Sequence, residues 1–156
     1  SHSDQALKML SEPSQAEKEI LGNISYQRNN ALLHTDTSVL PKRREAWSSW
    51  NYNLDQGPKN PMAMTYNMNI LQNKNTDNTY CVTLNNDDLI DKKLIIKNLR
   101  YSHPLLNQKA TDSQNRKNEI NGKNNTYFCG AYWRNGFHED GVVSALDVCK
   151  YFGVGL

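Results

Sequence analysis

Thr126–Gly153 reads TYFCGAYWRNGFHEDGVVSALDVCKYFG. Its order of residue types predicts a short apolar strand, a glycine-punctuated turn, and a helix with an acidic first turn. Tyr127, Phe128 and Cys129 suit a buried strand. Gly130 and Gly136 relax the backbone after it, and Gly141 lets a bound group approach the helix without a side chain in the way. This layout builds a place for a ligand at a helix N-terminus.

Working outward, the chain opens on helices. Ser1-His2-Ser3-Asp4 runs into an amphipathic stretch in which Ala6, Leu7, Met9 and Leu10 are apolar, with Ser3 or Asp4 placed to cap it. After Glu12-Pro13, Ser14 and Glu17 have the spacing of a capping box, and the second helix ends near Gly22. From Ile24 the pattern turns to strands. Ile24–Gln27 and Ala31–Asp36 flank Arg28-Asn29-Asn30 as a hairpin turn, followed by Trp47–Tyr52, Met62–Ile70, Tyr80–Leu84 and Leu94–Leu99. Within Met62–Ile70 the alternation puts Met62, Met64, Tyr66, Met68 and Ile70 on a buried face. Ala63, Thr65, Asn67 and Asn69 fall on a polar one. Leu105–Ile120 reads as a polar helix with few apolar anchors. The fold class is α+β, a largely antiparallel sheet with flanking helices and a closing strand and helix.

Composition narrows the function classes. The 156 residues are 37% hydrophobic, so the core per residue is thin. The net charge of +2 comes from 18 basic and 16 acidic residues scattered along the chain, which gives no footprint for nucleic acid. Lys42-Arg43-Arg44 is a short solvated run. Asparagines cluster at 73–78 and 121–125 as turn formers. The sequons at Asn23 and Asn124 are what chance yields in such a chain. Cys81, Cys129 and Cys149 are odd in number with no CxxC spacing, so the expectation is buried free thiols in a reducing, cytoplasmic setting. No run approaches the roughly 20 apolar residues of a membrane span, and no charged-then-apolar leader precedes the first element. His34-Thr35-Asp36 and His103-Pro104 lack a second histidine at ligand spacing, so no metal site is expected.

Four blocks carry a resemblance. They are His2–Leu7; Leu33–Thr37 with Leu40–Arg44, Ala46-Trp47 and Ser49–Tyr52; Thr65-Tyr66 with Met68-Asn69 and Leu71-Gln72; and Phe128–Ala131 with Gly136–Gly141. In this order the chain resembles the C-terminal part of flavin-containing amine oxidoreductases, in the bacterial subgroup described as predicted NAD/FAD-binding proteins. The resemblance implies a two-domain flavoprotein using FAD. Its dinucleotide-binding half carries a GxGxxG fingerprint, which does not occur in these residues. A C-terminal fragment is therefore expected, inactive alone and partnered by that N-terminal half. Residues 1–23 and 104–156 would belong to the FAD-binding domain and 24–103 to the substrate domain. Self-association through apolar faces of the opening helix and last strand is expected as well.

By the same resemblance, Gly130 and Ala131 approach the ribityl and pyrophosphate region. Gly136, Phe137, His138, Glu139, Asp140, Gly141, Val142 and Val143 cover the flavin edge, with the amides of Gly141 to Val143 turned to the reduced ring. Glu139 and Asp140 also suit a helix's first turn simply as acids. His138 invites a proton-transfer role, although a lone histidine there is more often structural. No catalytic residue is assigned. Trp50, Tyr52, Tyr66 and Met68 are candidates for the substrate pocket, the plainer meaning of each being sheet core. Ala131 stands where many relatives carry an acid, and Val142 where amine oxidases place an aromatic. Both departures favour a small hydrophobic or aliphatic substrate and hydride abstraction. The alternative is a non-catalytic interaction or structural module derived from the same fold.

Overall fold

A computed structural model describes residues 1–52 and 64–155. The chain forms two compact units. Unit 1 comprises Ser1–Gln27 with His103–Leu156, and unit 2 is Arg28–Ser102. The fold class is α+β.

Unit 1 is helical. α1 (Ser3–Met9), α2 (Gln15–Gly22), α4 (Gln108–Asn115) and α5 (His138–Lys150) supply its regular structure. His2, not Ser3 or Asp4, precedes the first helical residue, and Ser3 is buried inside the helix. α2 begins as the sequence predicts: the Glu17 amide donates to Ser14 Oγ at 3.2 Å, and the Ser14 amide donates to the Glu17 carboxylate at 2.7 Å. The predicted helix over Leu105–Ile120 is shorter. Asn107 caps α4 by accepting from the Ala110 amide, and a separate 3-10 turn follows at Lys117–Glu119. The core gathers Ala6, Ile20, Leu21, Ile24, Ala110, Ile120, Phe128, Tyr132 and Trp133.

The expected strand at Tyr127–Cys129 does not form. The nearest pairing is an isolated bridge between Lys123 and Thr126. Side chains take the backbone groups that a neighbouring strand would have used. The Phe128 amide donates to Asn121 Oδ1 at 2.8 Å, and the Phe128 carbonyl accepts from Trp133 Nε1 at 2.9 Å. Phe128 is buried as expected, but Cys129 is exposed and Cys149 is half-buried, so only Cys81 is a buried thiol.

Unit 2 is built on a five-stranded sheet in the order β2-β3-β4-β1-β5. The strands are β1 (Tyr26–His34), β2 (Trp50–Tyr52), β3 (Met64–Asn67), β4 (Cys81–Leu84) and β5 (Ile95–Pro104). The chain passes from one unit to the other within β1 and β5. Arg28-Asn29-Asn30 makes no hairpin, and β1 runs straight through it. The asparagines that suggested a turn bond across the sheet instead. Asn85 Nδ2 donates to Asn29 Oδ1 at 2.7 Å, and the Asn30 amide donates to Asn85 Oδ1 at 3.1 Å.

The predicted strand Met62–Ile70 is also cut short. Met62 and Ala63 lie outside the described residues, and beyond β3 the chain turns into the helical α3 (Met68–Leu71). Asn67 causes the switch, since its side chain accepts from the amides of Asn69 and Ile70 and so caps a helix.

The faces of β3 are inverted from the expectation. Thr65 and Asn67 are buried, whereas Met64 and Tyr66 are only half-buried. Residues directly opposite in an antiparallel pair share a face. Thr65 faces Thr83, and Thr83 faces Leu32. Asn67 faces Cys81, and Cys81 faces His34. The hidden side of the sheet is therefore largely polar.

Its polar groups satisfy one another. His34 Nδ1 accepts from the Asp36 amide at 3.1 Å, so its proton sits on Nε2, which bonds Thr83 Oγ1 at 2.8 Å. The hydroxyls of Thr83 and Thr65 are hydrogen-bonded to each other, also at 2.8 Å. Asp36 accepts from the amides of Ser38 and Asp91, each at 2.9 Å. A buried polar layer is tolerable when every member is paired.

Candidate functional site

Two places in the molecule gather the residues singled out by sequence, one in each unit.

In unit 1 the place is the start of α5. Phe137 is its N-cap, and a phenyl ring cannot accept a hydrogen bond. Asp140 does the capping from inside, its carboxylate accepting from the amides of Asn135 at 3.1 Å and Phe137 at 3.0 Å. Asp140 is buried and spent on this turn. Gly136 stands at φ +88, a left-handed conformation that favours glycine and lets the chain turn into the helix. The Gly141 amide donates to the Phe137 carbonyl at 3.3 Å. The first-turn amides with no carbonyl inside the helix are thus those of His138, Glu139 and Asp140. The amides of Gly141, Val142 and Val143, expected to face a ligand, lie in the helical ladder.

The glycines are explained by internal packing. A Cβ on Gly130 would collide with the Tyr132 ring, 2.7 Å from Cδ1, so the buried tyrosine requires glycine there. A Cβ on Gly141 would make an ordinary contact, 3.9 Å from the Ala131 nitrogen. Ala131 opens a 3-10 turn running to Trp133. Ser144, which sequence reading passed over, ties these pieces together. Its buried hydroxyl accepts from the Gly130 amide at 2.7 Å and donates to the Gly141 carbonyl at 3.0 Å. Its place one turn after Gly141 was the available signal.

What this segment shows to solvent is Phe137, 69% exposed, with Val142 at 50% and exposed His138 and Glu139; Val143 is half-buried. The opening residues meet the same region. The His2 ring stacks on Tyr26 at 4.4 Å, the Ser3 amide donates to the Tyr26 hydroxyl at 2.8 Å, and a Gly130 Cβ would lie 3.1 Å from the Ser1 carbonyl. The blocks at the two ends of the chain therefore converge. Burial is the foremost cause that raises the phenol pKa of Tyr132 and also that of Tyr26, where hydrogen bonds with Ser3 oppose it. Both phenols stay neutral near pH 7. The apolar faces expected to drive self-association are largely covered within unit 1, with Ala6 and Phe128 in the core and Met9 exposed.

In unit 2 the register assembles a second feature. Trp50 faces Tyr66, Tyr66 faces Val82, and Val82 faces Leu33. The adjacent row is Tyr52, Met64, Leu84 and Ala31. All eight are apolar or aromatic, and only Ala31 is fully buried. Trp50 and Tyr52, at 61% and 51% exposed, end the two rows on the edge strand. Three of the four expected pocket residues are thus brought together. Met68 is not among them, because α3 carries it off the strand.

Electrostatics in unit 2 belong to the hidden side. Burial lowers the pKa of His34 against the opposing charge and hydrogen bond of Asp36, so the imidazole is neutral near pH 7. Burial raises the Asp36 carboxyl, but hydrogen bonds from Asp91 and Ser38, with His34 nearby, outweigh it and the pKa falls. Cys81 is pushed up to about 11 by burial, then by the Asp36 charge. Among the described residues no cluster of three or more His, Cys, Asp or Glu is placed to hold a metal ion. No helix among them is long and apolar enough to cross a membrane.

No family model matches this chain, and no curated protein matches it significantly.

Proposed function

We propose that this chain is the substrate-binding and flavin-edge portion of an FAD-dependent oxidoreductase acting on a hydrophobic, aliphatic substrate. The observation that carries the substrate class is the half-open apolar sheet face, Trp50-Tyr66-Val82-Leu33 beside Tyr52-Met64-Leu84-Ala31. Apolar surface left partly exposed while polar groups are hidden is unfavourable unless something covers it. An aliphatic substrate is such a cover, at about 25 cal/mol per Å² of apolar area removed from water.

The cofactor reading rests on the order of the four sequence blocks and on the donor set at α5. The amides of His138, Glu139 and Asp140, the helix dipole, and small Gly130 and Ala131 nearby suit one electron-rich edge of a flavin ring. Asp140 and Gly141 serve that edge indirectly, by fixing the turn. The ADP moiety would be held by the dinucleotide-binding half. FAD, when bound, supplies a hydride acceptor for a substrate C–H bond. The residues of this chain orient the substrate, exclude water and stabilise the charge at the ring edge.

The test is flavin binding. Purified chain is mixed with FAD and its absorption spectrum recorded, then the measurement is repeated with the dinucleotide-binding half fused or supplied in trans. A bound-flavin spectrum in the completed protein, bleached anaerobically by an aliphatic substrate, is the expected result. A completed protein that stays colourless defeats the enzyme reading and favours the interaction module.

A further inference from the structure

A cleft of about 490 Å³ lies beside β2 in unit 2, lined by Trp50, Asn51 and Tyr52 and by residues of the loop from Ser38 to Ser48. The loop is internally fixed. Leu40 is buried, and its amide donates to the Thr37 carbonyl at 3.1 Å. The Trp47 indole N–H clasps the Pro41 carbonyl at 2.8 Å, and the Arg44 guanidinium sits 5.1 Å over the Trp47 ring. Lys42 stands between these anchors and lines the cleft. Among the described residues no carboxylate pairs with it. Arg43 and Arg44 add positive charge to a loop whose one acid is Glu45.

The other polar groups of the cleft are mostly spent. Ser48 Oγ donates to the Trp50 carbonyl at 2.8 Å, and Asn51 Nδ2 donates to the Ser48 carbonyl. The Ser38 hydroxyl is spent as well, bonded to the Asp36 carboxylate. What remains is Lys42, exposed, in the same lining as Trp50 and Tyr52. A single cation matches a singly charged head group, and Trp50 and Tyr52 match an apolar chain.

We infer that this cleft binds an anionic amphiphile, an aliphatic chain ending in a carboxylate, with the carboxylate on Lys42 and the chain on Trp50 and Tyr52. That this ligand is the enzyme's substrate rests on the function proposed above; the site itself does not. A chain lying on Trp50 and Tyr52 starts on the two apolar rows of the sheet, and the lysine fixes which end stays at the edge.

The test is a titration of the full chain, without flavin, against dodecanoate, dodecanol and dodecylamine below their micellar concentrations, followed by tryptophan fluorescence and calorimetry. Dodecanoate is expected to bind about tenfold more tightly than dodecanol, the size of one charge-assisted hydrogen bond, with dodecylamine weakest. Lys42→Met removes that preference and leaves dodecanol binding unchanged, whereas Trp50→Ala weakens all three alike. The inference is overturned if no amphiphile binds, if dodecylamine binds as tightly as dodecanoate, or if Lys42→Met binds dodecanoate like wild type. Because no flavin enters, failure here leaves the cofactor reading standing, and a colourless completed protein leaves this site standing.

Discussion

Unit 1 builds its buried core from apolar side chains. Ile20, Leu21, Ile24 and Ile120 are essentially inaccessible in its core. Unit 2 does the reverse across its sheet. His34, Thr65, Asn67 and Thr83 are buried, and Trp50, Tyr52, Met64 and Tyr66 reach solvent. The first arrangement gains stability from area removed from water. The second gives up some of that gain to keep an apolar surface available, and it holds its interior with hydrogen bonds worth about 1 kcal/mol net each. A sheet that presents its apolar face is suited to binding.

The sharpest way to break this contrast is truncation in the core of unit 1. Ile20→Ala is expected to cost about 2–5 kcal/mol in urea unfolding, the range for a fully buried aliphatic. Gly130→Ala comes next, at about 1–3 kcal/mol, because the new methyl displaces the buried Tyr132 ring. Gly141→Ala is its control. It meets open van der Waals space and should be neutral or slightly stabilising, and a loss equal to that of Gly130→Ala would show that packing at Tyr132 is not the cause.

The polar layer of unit 2 is tested through pH. The folded pKa of His34 is lowered from 6.5, so the unfolded chain takes up the proton first. The stability contributed by neutral His34 is present above about pH 6.5 and is lost as pH falls from there toward the folded pKa. Asp36, lowered from 3.8, withdraws its contribution only below that value. Thr83→Val leaves the His34 N–H without its acceptor and should cost about 1–3 kcal/mol at pH 7.5. His34→Gln should flatten the slope below about pH 6.5. A wild-type stability that does not change through this window would contradict the neutral, buried imidazole.

Smaller effects belong to the open face. Tyr66→Ala should change stability by about 1 kcal/mol or less while sharply reducing binding of an apolar dye. If it unfolds the protein as Ile20→Ala does, the face is a core and the contrast fails. Smallest is the thiol order. A disulfide reagent at pH 8 should label Cys129 first, Cys149 more slowly, and Cys81 only on unfolding, as its burial and raised pKa require.

Much of the helical framework was legible from local signals. The Ser14–Glu17 box, the acidic first turn of α5 and the glycine at 136 work within a few residues, and sequence shows such patterns directly. The sheet was legible as strands but not as faces. Alternation in Met64-Thr65-Tyr66-Asn67 says that one side is apolar, and the default is to bury that side. The partners that make the other side burial-worthy, His34 and Thr83, lie far away in the chain. Asn29 and Asn30 misled for the same reason, since their acceptor and donor is Asn85. At the candidate site, sequence marks the segment around Phe137 but does not show the internal packing and capping in which Gly130, Asp140 and Gly141 take part. The feature that decides them is a tyrosine ring and a serine hydroxyl supplied by the fold.

The tautomer of His34 has a spectroscopic consequence. With Nδ1 accepting a backbone amide and the Nε2 proton held on Thr83 in a residue of zero exposure, that proton is cut off from solvent exchange. It should give a persistent imidazole N–H resonance in proton NMR, sharp in water where surface histidines show none. Its rate of exchange for deuterium would clock the opening of the sheet at His34, without any label added to the protein.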